Sequence, residues 1–153
     1  YFCDGFALSG EALIGKYTGA NDLARKYRCV RHLFVWAFVV VLLFTFLFWI
    51  GDTVILRMLT DSEEVLEASL PYLSWVLLVP LTGFAAFMWD GIYIGATATR
   101  EMLYALALGA LVFFGSWYTP MPLPDNHHLW FSFIMYLLTR SLVQTLLAKR
   151  VLS

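Results

Sequence analysis

Asp90 stands in the run Trp89-Asp90-Gly91-Ile92-Tyr93, ten residues ahead of the next charge, Arg100. On a helix that rises about 1.5 Å per residue, the carboxylate lies about 15 Å from that anchor. Half the hydrocarbon core of a bilayer is also about 15 Å. A carboxylate at such a depth is by default a proton or cation site, or one half of an ion pair. The other reading ends the helix at Trp89 and leaves Asp90 as a cap among the headgroups. The small and polar run Gly95-Ala96-Thr97-Ala98-Thr99 permits it.

Three more charges fall inside apolar stretches. Asp4 lies twelve residues before Lys16, about 18 Å by the same rise. Both Asp4 and Asp90 are followed by glycine, which hints at an internal repeat. Glu11 is about 7.5 Å inside Lys16; it either pairs with Lys16 or lines an inner vestibule. Arg140 precedes Lys149 by nine residues. It either snorkels partway or meets a buried acid, and the sequence does not say which acid. Trp89, Tyr93 and Tyr136 share this depth. On a cavity wall they would hold organic cations by cation–π contact; otherwise they pack between helices.

Other chemistry finds no pattern. His127-His128 with Asp125 superficially suggests a metal site, but adjacent histidines on a loop point apart, and no further ligands complete a tetrahedral set. A solvated outer loop is expected there. No G-x-S-x-G, HExxH or P-loop occurs, so no enzyme is expected. Cys3 and Cys29 form no C-x-x-C pair and read as free thiols.

The elements that must position these residues follow from composition. Of 153 residues, 61 % are hydrophobic and 14 % charged. Soluble domains run near 45–50 % and about 25 %. Too few polar groups remain to coat a water-soluble particle. Ten Lys and Arg against eleven Asp and Glu leave a net charge of −1, which argues against nucleic-acid binding. An all-α polytopic membrane helix bundle is expected. Runs free of charge, or nearly so, place about five spans at residues 1–17, 33–51, 68–94, 102–119 and 128–148. The first carries Asp4 and Glu11 on one helical face and Phe2, Phe6, Leu13 and Tyr17 opposite, as for a cavity side and a lipid side. A surface amphipathic helix is the alternative. The chain opens on Tyr1 without an initiator Met, and reads as part of a longer protein.

Lys16, Arg25, Lys26, Arg28, Arg31, Arg100, Lys149 and Arg150 fall on one side of the alternating spans, and only Arg57 among basic residues on the other. The positive-inside rule makes the first side, with the C-terminus, cytoplasmic. Trp49, Tyr72, Trp75, Trp117, Tyr118 and Trp130 mark the outer ends as an aromatic belt. Arg25 to Arg31 are expected on anionic lipid headgroups. Asn21 or Asp22 is expected to cap the second helix, Asp61 with Glu64 to box a short outer helix, and Pro80 to kink the third span.

The segment Asp4-Gly5-Phe6-Ala7 through Glu11-Ala12-Leu13-Ile14-Gly15, then Gly19-Ala20, resembles the eighth helix of multidrug and toxic compound extrusion (MATE) transporters. The stretch from Trp89 to Thr97, with Arg100-Glu101-Met102, resembles the tenth helix and following loop of their DinF-like branch. The resemblance covers nearly the whole chain. It implies helices eight to twelve of a twelve-helix, two-lobed antiporter of the cell (inner) membrane, with residues 1–153 forming most of a C-terminal lobe. It implies export of small organic, often cationic, compounds in exchange for protons or sodium ions, with no other cofactor. It makes Asp90, Asp4 and Glu11 candidate substrate or cation sites, to which the residues themselves add Arg140, Tyr93 and Tyr136. The partners expected are membrane lipids and the missing N-terminal lobe. Two alternatives stay open: a non-transporting membrane scaffold, and a flippase of related fold for lipid-linked precursors.

Overall fold

The computed structural model describes residues 2–152, without the side chains of Phe2, Cys3, Asp52, Thr53, Leu59 and Asp125. Expectations resting on Tyr1 or on those side chains lie outside the described residues. The chain is helical throughout, with no strand among the described residues. Its helices are α1 (Phe2–Gly19), α2 (Leu23–Leu59), α3 (Glu63–Ser69), α4 (Leu73–Gly95), α5 (Thr99–Tyr118) and α6 (Asp125–Leu152). A single 3₁₀ turn, Leu70–Tyr72, joins α3 to α4.

Four stretches are long and apolar enough to cross a membrane: Leu23–Gly51, Glu63–Gly95, Thr99–Tyr118 and Asn126–Leu152. They cover the last four expected spans. The first, α1, is helical as expected, but falls outside that set with Asp4, Glu11 and Lys16 in 18 residues. Exposure follows the pattern of a helix bundle in lipid. α5 buries Ala105 and Gly109 and turns Leu103, Tyr104, Leu111 and Phe114 outward. Lipid tails are as apolar as leucine, so such helices associate through close packing of small residues rather than by hiding large ones.

Local signals explain most boundaries. Asn21 takes the left-handed conformation (φ 54°) that ends α1, and Asp22 caps α2 by accepting from the Arg25 N–H at 3.0 Å. The expected capping box at Asp61 is displaced by one residue. Ser62 is the cap of α3, and its hydroxyl accepts from the Val65 N–H at 3.5 Å. α2 outruns its apolar span, breaking helical dihedrals at Gly51 (φ −104°, ψ 18°) and continuing to Leu59. α4 runs through Pro80 as one continuous helix, while α2 departs from helical dihedrals at Gly51.

α4 is the central element, packed against α1, α2 and α6, while α5 packs chiefly on α6. Phe34 and Phe38 of α2 meet Phe84, and Phe34 also meets Trp89. A core of Ile14, Val30, Trp89, Ile92, Tyr93, Ala148 and Val151 joins α1, α2, α4 and α6 at one end. Lys26 is buried at that end, and its ammonium donates to the Val151 carbonyl at 3.0 Å. One member of the basic run therefore caps the last turn of α6, where carbonyls lack helical partners, instead of facing lipid headgroups. The contact puts the start of α2 and the end of α6 on the same side, as the charge pattern requires.

Candidate functional site

α4 and α6 run in the same direction, zipped by a file of polar contacts. The Ser141 hydroxyl donates to the Thr82 carbonyl at 2.9 Å. The Trp89 indole N–H donates to Thr145 Oγ1 at 2.9 Å, and the Tyr93 hydroxyl donates to the Gln144 carbonyl. Gly83 lets α4 close on Leu137, where an added Cβ would sit 3.3 Å from Leu137 Cδ1.

Asp90 lies in the middle of this file. The helix continues five residues past it to Gly95, so Asp90 is not a cap on a helix that ends at Trp89. Arg140 Nη2 donates to Asp90 Oδ2 at 2.5 Å, and Gln144 Nε2 donates to Asp90 Oδ1 at 2.7 Å. Both carboxylate oxygens are engaged. Arg140 Nη1 donates to the Tyr136 hydroxyl at 3.0 Å, and the guanidinium carbon stands 5.3 Å from the centre of the same ring. The Arg140 side chain is 7 % exposed and that of Asp90 21 %. Gly109 of α5 supplies the room: a Cβ there would meet Arg140 Cγ at 2.9 Å.

Tyr136, Arg140 and Gln144 are four residues apart and form one stripe of α6. Ser132 begins the stripe one turn earlier, also buried. Three buried polar atoms on it have no protein partner: Ser132 Oγ, Arg140 Nε and Gln144 Oε1. Buried polar atoms are usually satisfied, so this stripe carries hydrogen-bonding capacity beyond what the described residues use. Arg140 lies twelve residues before Leu152, about 18 Å into the helix. A charged pair at such a depth is a weak stabiliser, since desolvation offsets its attraction. Removing one partner alone is strongly destabilising.

The other candidates are distributed differently. Asp4 is exposed on α1, and Glu11 is half-buried on the opposite side of α4 from Arg140. No ion pair joins Glu11 to Lys16 among the described residues; the five-residue step carries the two around the helix. Trp89 and Tyr93 are buried, ring against ring at 5.7 Å between centroids. Phe6, Leu13 and Tyr17, expected to face lipid, line a groove against Arg25, Arg28 and His32 of α2.

Sequence reasoning passed over the glycine seam on α4. A Cβ on Gly91 would overlap the Ala7 carbonyl group, and one on Gly95 would overlap the Glu11 carbonyl. Backbones of α1 and α4 therefore touch, and the register from Ala7 to Gly91 and Glu11 to Gly95 makes the two helices parallel. Glycines four residues apart in an apolar segment are the signal for such a seam. Gln144 was also passed over; its signal was the four-residue step from Arg140.

The two histidines do not sit in a solvated loop. They lie in the first turn of α6. His127 Nδ1 accepts from the Trp75 indole N–H at 2.9 Å, and its ring lies tilted against Tyr72, 4.9 Å between centroids. His128 is buried, its Nε2 2.8 Å from the Ser116 carbonyl and its ring stacked on Trp117. Part of the outer aromatic belt is thus a hydrogen-bonded layer clamping α4, α5 and α6. No group of three His, Cys, Asp or Glu able to hold a metal occurs among the described residues.

The MatE family profile matches residues 1–117. The chain is 31 % identical over 142 residues to DNA damage-inducible protein F of Escherichia coli (strain K12), covering 93 % of this chain and 31 % of that relative. It thus spans about a third of the relative's length. No solved structure matches it.

Proposed function

This chain belongs to the MatE family of multi-pass membrane transporters, in its DinF-like branch and not among enzymes, and on that footing we propose that it is part of the C-terminal lobe of a secondary antiporter. Residues 1–153 correspond in this reading to helices eight to twelve, in an inner membrane, with the C-terminus cytoplasmic. The transporter exports small organic, often cationic, compounds in exchange for protons or sodium ions. An N-terminal lobe of the same polypeptide completes the cleft, and lipid surrounds both.

The observation that carries this reading is the Asp90–Arg140 pair, held deep between parallel α4 and α6 with Gln144 and Tyr136. Its physical value is exchange. Adding a positive charge at Asp90 competes with Arg140 for the carboxylate, and a released Arg140 changes how α4 and α6 are joined. Two arrangements of one seam, each favoured by a different ligand, are what alternating access requires. The glycine contact of α1 with α4 is rigid by comparison, so the exchange acts on the α6 side of α4. An apolar crevice of about 440 Å³ between α2, α4 and α6 supports the organic part of the cargo; Val41, Phe44, Val76, Pro80, Trp130 and Phe133 line it.

Replacing Asp90 by Asn in the full-length transporter tests the reading. The amide keeps the shape and loses the charge, and efflux of a fluorescent organic cation from cells or proteoliposomes is expected to fall at least about tenfold. Undiminished efflux by folded protein removes Asp90 from the mechanism.

A further inference from the structure

We propose that His127 and Trp75 form a pH-sensitive latch at one end of the bundle. It ties the start of α6 to the start of α4 while the imidazole is neutral, and lets go when the imidazole takes up a proton. The proposal does not rest on the antiport reading.

What each ring can donate or accept decides the matter. An indole has one N–H and no acceptor. The Trp75 N–H stands 2.9 Å from His127 Nδ1. That nitrogen must therefore carry a lone pair, and the imidazole must be neutral with its proton on Nε2. An imidazolium has an N–H at both nitrogens and accepts nothing. Protonation does more than weaken the contact, because it sets two N–H groups against each other. His127 is half-buried, so protons from water reach it. Histidine is the side chain whose charge ordinarily changes between about pH 5 and 8. The contact thus holds at the upper end of that window and is lost as the pH falls through it.

The adjacent histidine behaves differently. His128 Nε2 lies 2.8 Å from the Ser116 carbonyl. A carbonyl only accepts, so His128 donates there, and the neutral and the charged ring both can. Its stacking on Trp117 also tolerates a positive charge. Acid therefore frees α4 from α6 at this end and leaves α5 on α6. The titratable groups about His127 are Tyr72, on the turn ahead of α4, and His128 on its own helix. Asp125 precedes it by two residues in sequence. α5 presents the Ser116 carbonyl and Trp117 to His128.

The position of the latch gives its release a consequence. Trp75 immediately precedes Val76, and His127 stands three residues before Trp130. Val76 and Trp130 line the apolar crevice between α2, α4 and α6. Among the described residues, the next hydrogen bond joining α4 to α6 is the one from Ser141 to the Thr82 carbonyl. Thr82 lies about 10 Å along α4 from Trp75. With the latch released, that stretch of α4 is left to apolar packing, and the crevice opens at its end.

The test uses the purified full-length protein with spin labels at the exposed Leu78 and Leu129. Their separation is read by pulsed electron paramagnetic resonance at about pH 8 and about pH 5.5, on either side of the ordinary histidine range. In the wild type the distance is expected to lengthen on acidification. H127N presents an amide oxygen that accepts from Trp75 at either pH, and is expected to keep the shorter distance throughout. W75F has no donor, and is expected to show the longer distance at both values. Melting temperatures give a second reading. W75F is expected to fall below wild type by about 1–4 °C at the higher pH and to match it at the lower. In the H127N background the same substitution is expected to cost equally at both. A wild-type distance that ignores pH overturns the proposal. So does folded H127N that lengthens with acid as the wild type does, and this outcome decides the matter even where W75F fails to fold.

Discussion

Asp4-Gly5 and Asp90-Gly91 are the same dipeptide on two helices that run in the same direction. Their surroundings are opposite. A Cβ on Gly5 would meet nothing within 4 Å, whereas one on Gly91 would overlap the Ala7 backbone. Asp4 is exposed, whereas Asp90 is partly buried against α6. The difference teaches that a repeated motif in a membrane protein does not imply a repeated environment. Gly91 lets the α1 backbone come close, and Asp90 holds α6 through Arg140 and Gln144. α4 carries the two requirements on adjacent residues, about 100° apart around the helix. One face meets the α1 backbone directly, and the other meets α6 through side chains.

That contrast can be broken most severely at Gly91. Gly91→Val places side-chain atoms inside the α1 backbone, which no rotamer change relieves. A loss of about 3 kcal/mol or more is expected, seen as collapse of the monodisperse peak of the full-length protein in size-exclusion chromatography. A smaller effect is expected at the face toward α6. Gln144→Leu removes one charge-assisted donor to Asp90 and is expected to cost about 1.5–3 kcal/mol in thermal or chemical unfolding. The smallest effect, with the opposite sign, is expected for Gly5→Ala. A glycine in a helix with open space around it gains up to about 1 kcal/mol on acquiring a methyl group, visible as an unchanged or slightly raised melting temperature. If Gly5→Ala were as damaging as Gly91→Val, the two steps would be equivalent after all.

Much of the fold was legible because lipid imposes a coarse rule: charges end spans, and the sign of the charges sets direction. Leu33 to Gly51 and the two outermost helices of the C-terminal half could be read directly from the distance between charges. Asp90 and Arg140 were each conspicuous for the same reason, as lone charges in apolar runs. Their pairing was not legible, because it depends on how α4 and α6 slide and rotate against each other, and no charge pattern records that register. Lys26 was misread for the opposite reason. Inside a basic run, one buried ammonium looks like its exposed neighbours, and only the position of the Val151 carbonyl distinguishes it. His127 and His128 were misread because adjacency was taken for a loop, whereas the first turn of a helix points neighbours in different directions, one to Trp75 and one to the Ser116 carbonyl.

The Lys26–Val151 contact has a consequence for biosynthesis. The two residues are 125 positions apart, so the ribosome must translate nearly every segment between them before the lysine acquires its acceptor. Until α6 is in place, that ammonium lacks the Val151 carbonyl, and burying it unpaired would be costly. Closure of the bundle at this end therefore waits for α6, and a variant lacking α6 would leave the Lys26 ammonium without this acceptor.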